Sequence, residues 1–311
     1  MRNTKKVKTK QKKSAMQKGQ TPFILVMLAL PILQWLVFFL YVNINTILLA
    51  FKDARTGDWS LVNFKDFWEQ LTSPYGEIGI AVLNTARYFV LGLVTAMLCM
   101  WVAYFFYKKI FGHRFFRIVF YLPAVISSVA MVTAYKSIII PGGPLDKLVS
   151  LFGVSLPPEG LLANSATATY AIMGYCVLTG FTTNVLLFSS AMSRIPLEVL
   201  ESAALEGCGP TREFFSLIVP MMWSTISSVV ILAFTSILST SGPILLFTNG
   251  YYDTTTISFW IFSKVYGNGA IGGVAASYNL VSCVGLCFTL VSVPIILGIR
   301  KLMNKVPDVE Y

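Results

Sequence analysis

Residues 194–220 read Arg194-Ile195-Pro196-Leu197-Glu198-Val199-Leu200-Glu201-Ser202-Ala203-Ala204-Leu205-Glu206-Gly207-Cys208-Gly209-Pro210-Thr211-Arg212-Glu213-Phe214-Phe215-Ser216-Leu217-Ile218-Val219-Pro220. Pro196 suits the first turn of a helix, where its missing N–H would have had no partner. Leu197, Leu200 and Ala204 are expected to share one face, and Gly207 and Gly209 break the helix. Pro210 can then begin a second one. The product is a short, rigid helix-turn-helix with small residues on which another protein could pack and acids along its edge. The alternative is an ordinary amphipathic connection lying on lipid. Three acids facing an anionic leaflet count against it.

The chain around this knob is apolar. Of 311 residues, 55% are hydrophobic and 12% charged, about half the charged share of a soluble domain, and the mean hydropathy is +0.69. Soluble enzymes and disordered scaffolds do not have this composition; an integral membrane protein does. The net charge of +10 would point to a nucleic-acid binder if it were spread over the chain. It is not, because Arg2, Lys5, Lys6, Lys8, Lys10, Lys12, Lys13 and Lys18 crowd the first 20 residues and the remainder nets only +2. That tail has no aromatic residue for base stacking and runs straight into an apolar segment. It reads as an anchor to anionic lipid head groups, with no nucleic acid as partner.

Spanning the hydrocarbon takes roughly 20 apolar residues. Six stretches qualify, from about Pro22 to Tyr41, Leu83 to Phe106, Ile118 to Tyr135, Thr169 to Ser190, Leu217 to Leu238 and Gly273 to Gly298. With the N-terminus inside, 17 of the 24 Lys and Arg residues fall in cytoplasmic pieces. Both termini are therefore expected in the cytoplasm. The expected organisation is a basic cytoplasmic tail over 1–20, a six-helix membrane domain over 21–306 with the knob near 194–220, and a short C-terminal tail over 307–311.

All fourteen carboxylates fall in loops or the C-terminal tail. No span carries the buried acid that proton- or sodium-coupled carriers commonly use, so energy has to come from elsewhere. Arg87 reads either as a snorkelling arginine or as a residue lining a pathway. Asn63 can cap a helix that places Phe64, Phe67, Trp68 and Leu71 on one face, and such a helix is expected along the membrane surface. The five cysteines form no disulfide or metal framework. The single histidine, His113, sits among Lys108, Lys109, Arg114 and Arg117 in a basic turn. No metal, cofactor or catalytic residue is expected.

The knob resembles the EAA loop of ATP-binding-cassette (ABC) importer permeases. Glu201-Ser202-Ala203, Glu206-Gly207-Cys208, Phe214, Ile218 and Pro220 stand where that motif has Glu-Ala-Ala, Asp-Gly-Ala, Phe, Ile and Pro. The resemblance covers nearly the whole chain and narrows to the carbohydrate branch, similar to maltose-type and glycerol-phosphate-type permeases. Arg114-Phe115-Phe116-Arg117 leading to Leu122-Pro123-Ala124-Val125-Ile126-Ser127 looks like the approach to that branch's third helix, and Asn84-Thr85 like the start of its second. The stretch from Phe247 to Thr256 resembles a Thr-Asn-Gly-Gly-Pro segment followed by threonines, with Tyr251-Tyr252 in place of Gly-Pro.

The resemblance implies the all-α type I ABC importer fold and a transport function without enzymatic activity of the chain's own. It implies a heterodimer with a second homologous permease subunit, ABC ATPase subunits that hydrolyse ATP, and an extracytoplasmic solute-binding protein that delivers a sugar or oligosaccharide across the bacterial cell membrane. It assigns Glu201, Ala203, Glu206 and Gly207 to the ATPase contact. Sugar contacts carried over from maltose-type relatives fall at Gly180, Thr183, Ser236, Ile237 and Thr240, where the glycine is kept and the relatives' aromatic and asparagine positions are not. The alternatives are an importer of the same architecture for a phosphorylated polyol, polyamine or oxoanion and, more distantly, a membrane transferase. A transferase would need paired acids or a His-Asp arrangement that this chain does not offer.

Overall fold

The computed structural model describes residues 15–74, 76–239, 241–266 and 278–305. Most of the basic tail, Thr240, the start of the sixth expected span and the tail over 307–311 lie outside them. Among the described residues the structure is helical, with one isolated antiparallel bridge between Lys52 and Trp59.

The first apolar run is helical from α1 (Ala15–Trp35) through a π-helical stretch (Leu36–Tyr41) into α2 (Val42–Ala50). It is longer than its expected span, and its apolar side chains stay exposed, Val26 by 72% and Phe38 by 71%. Such a surface is stable only against lipid or a partner. The end of α2 is pinned by α3 (Val62–Thr72). Asn63 does not cap α3 as expected: its amide Nδ2 donates to the carbonyls of Ala50 (3.0 Å) and Lys52 (2.8 Å), which α2's own hydrogen-bond ladder leaves unpaired. The apolar face of α3 also meets protein. Phe67 packs edge-on against Phe288, and only Trp68, 64% exposed, points away.

Helix α4 (Glu77–Tyr107) is unbroken over 31 residues. After α5 (His113–Val125), α6 (Ser128–Ile139) and α7 (Pro144–Ser150), the long helix α8 (Ala168–Met192) packs along α4. Cys99, Ala103, Tyr104 and Phe106 of α4 meet Val185, Phe188, Ala191 and Met192 of α8 in one buried cluster. Small side chains in that seam let the helices approach closely, which drives association in lipid, where apolar burial alone gains little. Gly174 serves the same end. A Cβ there would stand 2.9 Å from the Tyr135 hydroxyl, which lies across α8 to donate to the Ala171 carbonyl.

The knob comprises α9 (Leu197–Leu205) and α10 (Pro210–Glu213), followed by a π-helical turn (Phe214–Ile218), α11 (Val219–Met221) and α12 (Trp223–Ser236). Then come α13 (Ile244–Phe247), α14 (Ile257–Tyr266) and α15 (Tyr278–Met303). Four apolar helices, Phe23–Ala50, Glu77–Tyr107, Ala168–Met192 and Tyr278–Met303, are unbroken and long enough to cross a membrane. The third and fifth expected spans are broken, with bends of 111° between α5 and α6 and 73° beside Met222. Pro123 precedes the first break, and Ser127 restarts the backbone ladder by accepting from the Ala130 amide (3.4 Å). Six spans result if each bent pair counts as one.

Candidate functional site

Three regions carry the features that composition alone does not explain: the knob, a cleft beside the first break, and a threonine-rich loop at the end of α4 away from the knob.

In the knob, Ile195, Leu200 and Ala203 are buried, while Glu198, Glu201, Ser202, Ala204, Glu206 and Leu205 (90%) are exposed. The buried face differs from the expected one, since Ala203 turns in and Ala204 out. The helix therefore rests on Leu200 and Ala203, one turn apart. Gly207 adopts φ +75°, its amide donates to the Ala204 carbonyl (3.1 Å), and the Cys208 amide donates to that of Ala203 (3.0 Å). That is the Schellman arrangement, which closes the helix end and needs the left-handed conformation glycine adopts freely. A Cβ at Gly207 would meet nothing within 4 Å. The turn is thus held by the backbone, and its outer surface is open.

Glu213, the last acid of the knob, is not at its edge. It is 3% exposed, and its carboxylate receives the Lys108 ammonium at 2.8 Å on Oε1 and 2.9 Å on Oε2. The Tyr104 hydroxyl donates to the Pro210 carbonyl (3.3 Å) and the Tyr107 hydroxyl to that of Ile195 (3.5 Å). Three residues from the last turn of α4 and its cap thereby grip both ends of the knob. Sequence reading missed them because Lys108 and Glu213 lie 105 positions apart. The one available signal was a basic residue directly after an apolar span.

The cleft has a volume of about 680 Å³. Its polar lining comes from Ser128, Thr179, Thr183, Ser241 and Ser258, and its aromatic faces from Tyr175, Phe259 and Phe262. No charged side chain lines it among the described residues. Of the expected path residues, Thr183 lines the cleft, and Gly180 stands one turn away on α8, where a Cβ would lie 3.7 Å from Thr95 of α4. Ser236 and Ile237, at the end of α12, are not among its lining residues, although Ser241 shortly beyond them is. Hydroxyls and aromatic faces can bind a neutral polyhydroxylated ligand, hydrogen-bonding its OH groups and covering its CH surfaces.

The loop from Thr248 to Thr256 is folded on its own threonines. Asn249, Gly250, Tyr252 and Asp253 are left-handed, Thr254 and Thr256 are fully buried, and the Thr248 and Thr254 hydroxyls lie 2.6 Å apart. Asn84 of α4 donates to the carbonyls of Asp253 (2.6 Å) and Thr255 (3.0 Å), and Thr85 accepts from the Ile257 amide (3.0 Å). Arg87 fixes the Asn84 amide by donating to its Oδ1 (3.2 Å), with its guanidinium 5.7 Å from the Tyr170 ring centre. It is a half-buried bracing residue and is not among the cleft's lining residues.

No protein-family model matches the chain. It superposes with a TM-score of 0.75 on a solved chain of a bacterial ABC transporter involved in the import of the acidic polysaccharide alginate, covering 94% of this chain and 99% of that one at 17% identity. The fold is that of an ABC importer permease. In sequence the chain is 27% identical over 166 residues to the multiple sugar-binding transport system permease protein MsmF of Streptococcus mutans, covering 53% of this chain and 57% of that protein. It is 24% identical over 261 residues to the maltose/maltodextrin transport system permease protein MalF of Klebsiella aerogenes, covering 76% of this chain and 49% of that protein. The matches thus span about half the length of these curated relatives. These relatives are sugar-transport permeases, not enzymes, in agreement with the resemblance read from the sequence. With its apolar helices, the chain is a multi-pass protein of the bacterial plasma membrane.

Proposed function

We propose that this chain is a permease subunit of a binding-protein-dependent importer that moves a neutral sugar or oligosaccharide inward. Each bent pair forms one span, giving six, and the positive-inside bias puts both termini and the knob in the cytoplasm. A second homologous permease completes the pathway as a heterodimer, lipid surrounds the pair, and ABC ATPase subunits seat on the knobs. In one solved neighbour, also aligned over 94% of this chain, the transporter is in complex with a periplasmic protein carrying an alginate pentasaccharide. An extracytoplasmic binding protein would deliver the sugar to this permease in the same way.

The observation that carries the reading is the knob: a rigid, Schellman-closed helix end on a membrane protein, with Glu201 and Glu206 exposed and, among the described residues, nothing within 4 Å of a Cβ at Gly207. Ala203 supports that contact from below by seating the helix on the body. ATP hydrolysis belongs to the partner, whose dimer closure would move the knob as a lever and switch the cavity between inward- and outward-facing states. The uncharged, hydroxyl-lined cleft supports a neutral substrate, with Thr183 on its wall and Gly180, Ser236, Ile237 and Thr240 as the further path residues.

The test is to purify the complex with its co-expressed neighbours and measure ATP hydrolysis as saccharides are presented on the binding protein. Stimulation by a saccharide is expected. No response to any saccharide, together with a response to a phosphorylated polyol, an oxoanion or a polyamine, would overturn the sugar assignment.

A further inference from the structure

Helix α4 is held at both ends by different parts of the same chain. At the knob end, Lys108 clasps the buried Glu213 through both carboxylate oxygens, and Tyr104 and Tyr107 bond the carbonyls of Pro210 and Ile195. At the other end, Asn84 bonds two carbonyls of the threonine loop, Thr85 receives the Ile257 amide, and the Glu77 carboxylate accepts from Trp260 (2.9 Å) and Lys264 (2.9 Å) on α14. At 1.5 Å per residue, these 31 residues reach about 46 Å. The segments on either side of the threonine loop both line the cleft, through Ser241 to Leu246 on one side and Ser258 to Phe262 on the other.

We infer that α4 is the strut that carries displacement of the knob to the cleft wall, with Lys108, Glu213 and Asn84 as positioning residues. A helix fixed at one end only would let the knob move while the far loop stayed behind. Clamped at both ends, it moves knob and cleft wall as one body. Glu213 suits its part because it is buried and its Oε2 accepts from the Lys108 ammonium, so a pull on α10 reaches that ammonium directly. Asn84 suits its part because Arg87 fixes its amide from behind, leaving both N–H groups committed to the loop. The inference rests on the importer reading, in which a partner moves the knob.

The experiment places spin labels on non-canonical amino acids at Leu205 and Tyr251, both exposed, in the full complex, which leaves the native cysteines unlabelled. Their separation is measured by pulsed electron resonance with and without trapped ATP, and uptake per ATP hydrolysed is measured alongside. A strut keeps the separation unchanged between the two states in the unaltered permease. Glu213→Gln and Asn84→Ala should each broaden the distribution and lower uptake per ATP by about 2- to 30-fold, the range seen for residues that carry coupling between distant sites. The double variant should lose no more than the worse single one, because one broken strut cannot break twice. A separation that differs between the two states in the unaltered permease, or losses that multiply in the double variant, would overturn the strut. Failure of any saccharide to stimulate hydrolysis by the unaltered complex counts against the importer reading, while the label separation still decides the strut.

Discussion

Replacing Gly207 separates what the turn requires from what its outer surface contacts. Its φ of +75° costs an L-residue about 1–2 kcal/mol, equivalent to a shift of roughly 5- to 30-fold in a conformational equilibrium. Because none of the described residues lies within 4 Å of the position a Cβ would take, that cost should be nearly the same for Gly207→Ala and Gly207→Trp. Gly207→Asn should cost less, since asparagine visits the left-handed region more readily. Any further loss in the tryptophan variant must arise outside the chain, where a bulky ring would hold the docked ATPase off the helix end. The assay is saccharide uptake and saccharide-stimulated ATP hydrolysis in proteoliposomes, normalised to the permease present in the membrane. Gly207→Asn should stay close to the unaltered protein and Gly207→Ala somewhat below it. Gly207→Trp should fall at least about tenfold further in coupling, worth about 1.4 kcal/mol, with undiminished membrane insertion. Equal coupling in Gly207→Trp and Gly207→Ala would refute the docking role of this surface.

Asn63→Ala leaves the Ala50 carbonyl without its Asn63 donor, while that of Lys52 keeps Asn279 at 2.6 Å; thermal unfolding of the purified permease should register a loss of about 1–3 kcal/mol. Lys264→Met should cost under about 1 kcal/mol in the same measurement, because both Lys264 and Glu77 are largely exposed and the pair is screened. Thr183→Val removes one hydroxyl from the cleft wall at constant shape, so the saccharide concentration giving half-maximal stimulation should rise about fivefold, corresponding to one lost hydrogen bond of about 1 kcal/mol. Neutralising the basic residues of the tail should weaken insertion or alter topology, read by accessibility of the N-terminus from either side, and leave saccharide preference unchanged.

The knob and most helices were legible because their signals are local. A proline ahead of Leu197, glycines at 207 and 209 and a proline at 210 set a helix, a stop and a restart without reference to anything distant. The misread details share a cause. Asn63 has the chemistry of a cap, but its amide finds the unpaired carbonyls at the end of α2, eleven and thirteen positions back, which local propensity does not register. Glu213 belongs by position to the acidic edge, yet its burial depends on a lysine at the end of another helix. Arg87 reads two ways in the sequence, and neither reading registers its partners, Asn84 and, on α8, Tyr170. The hydroxyls that line the cleft could not be told apart by sequence from those that only bond their own helix, such as Ser228 to Ser224 or Ser190 to Leu186.

The two broken spans follow from the same limit and point back to function. Hydropathy registers composition, and composition is indifferent to whether a helix runs straight. Backbone freed from a helical ladder inside a membrane is tolerated where it is buried in protein or lines a cavity. The first break meets that condition, since Pro123, Ala124, Ile126 and Ser128 around it all line the cleft. The second lies at Met222, which is buried with Leu200 and Phe214 beneath the knob. On the proposed importer reading, one bend sits beside the cleft offered to the substrate and the other beneath the knob offered to the partner. That reading gives both bends a use, in helices that the hydrocarbon alone would leave straight.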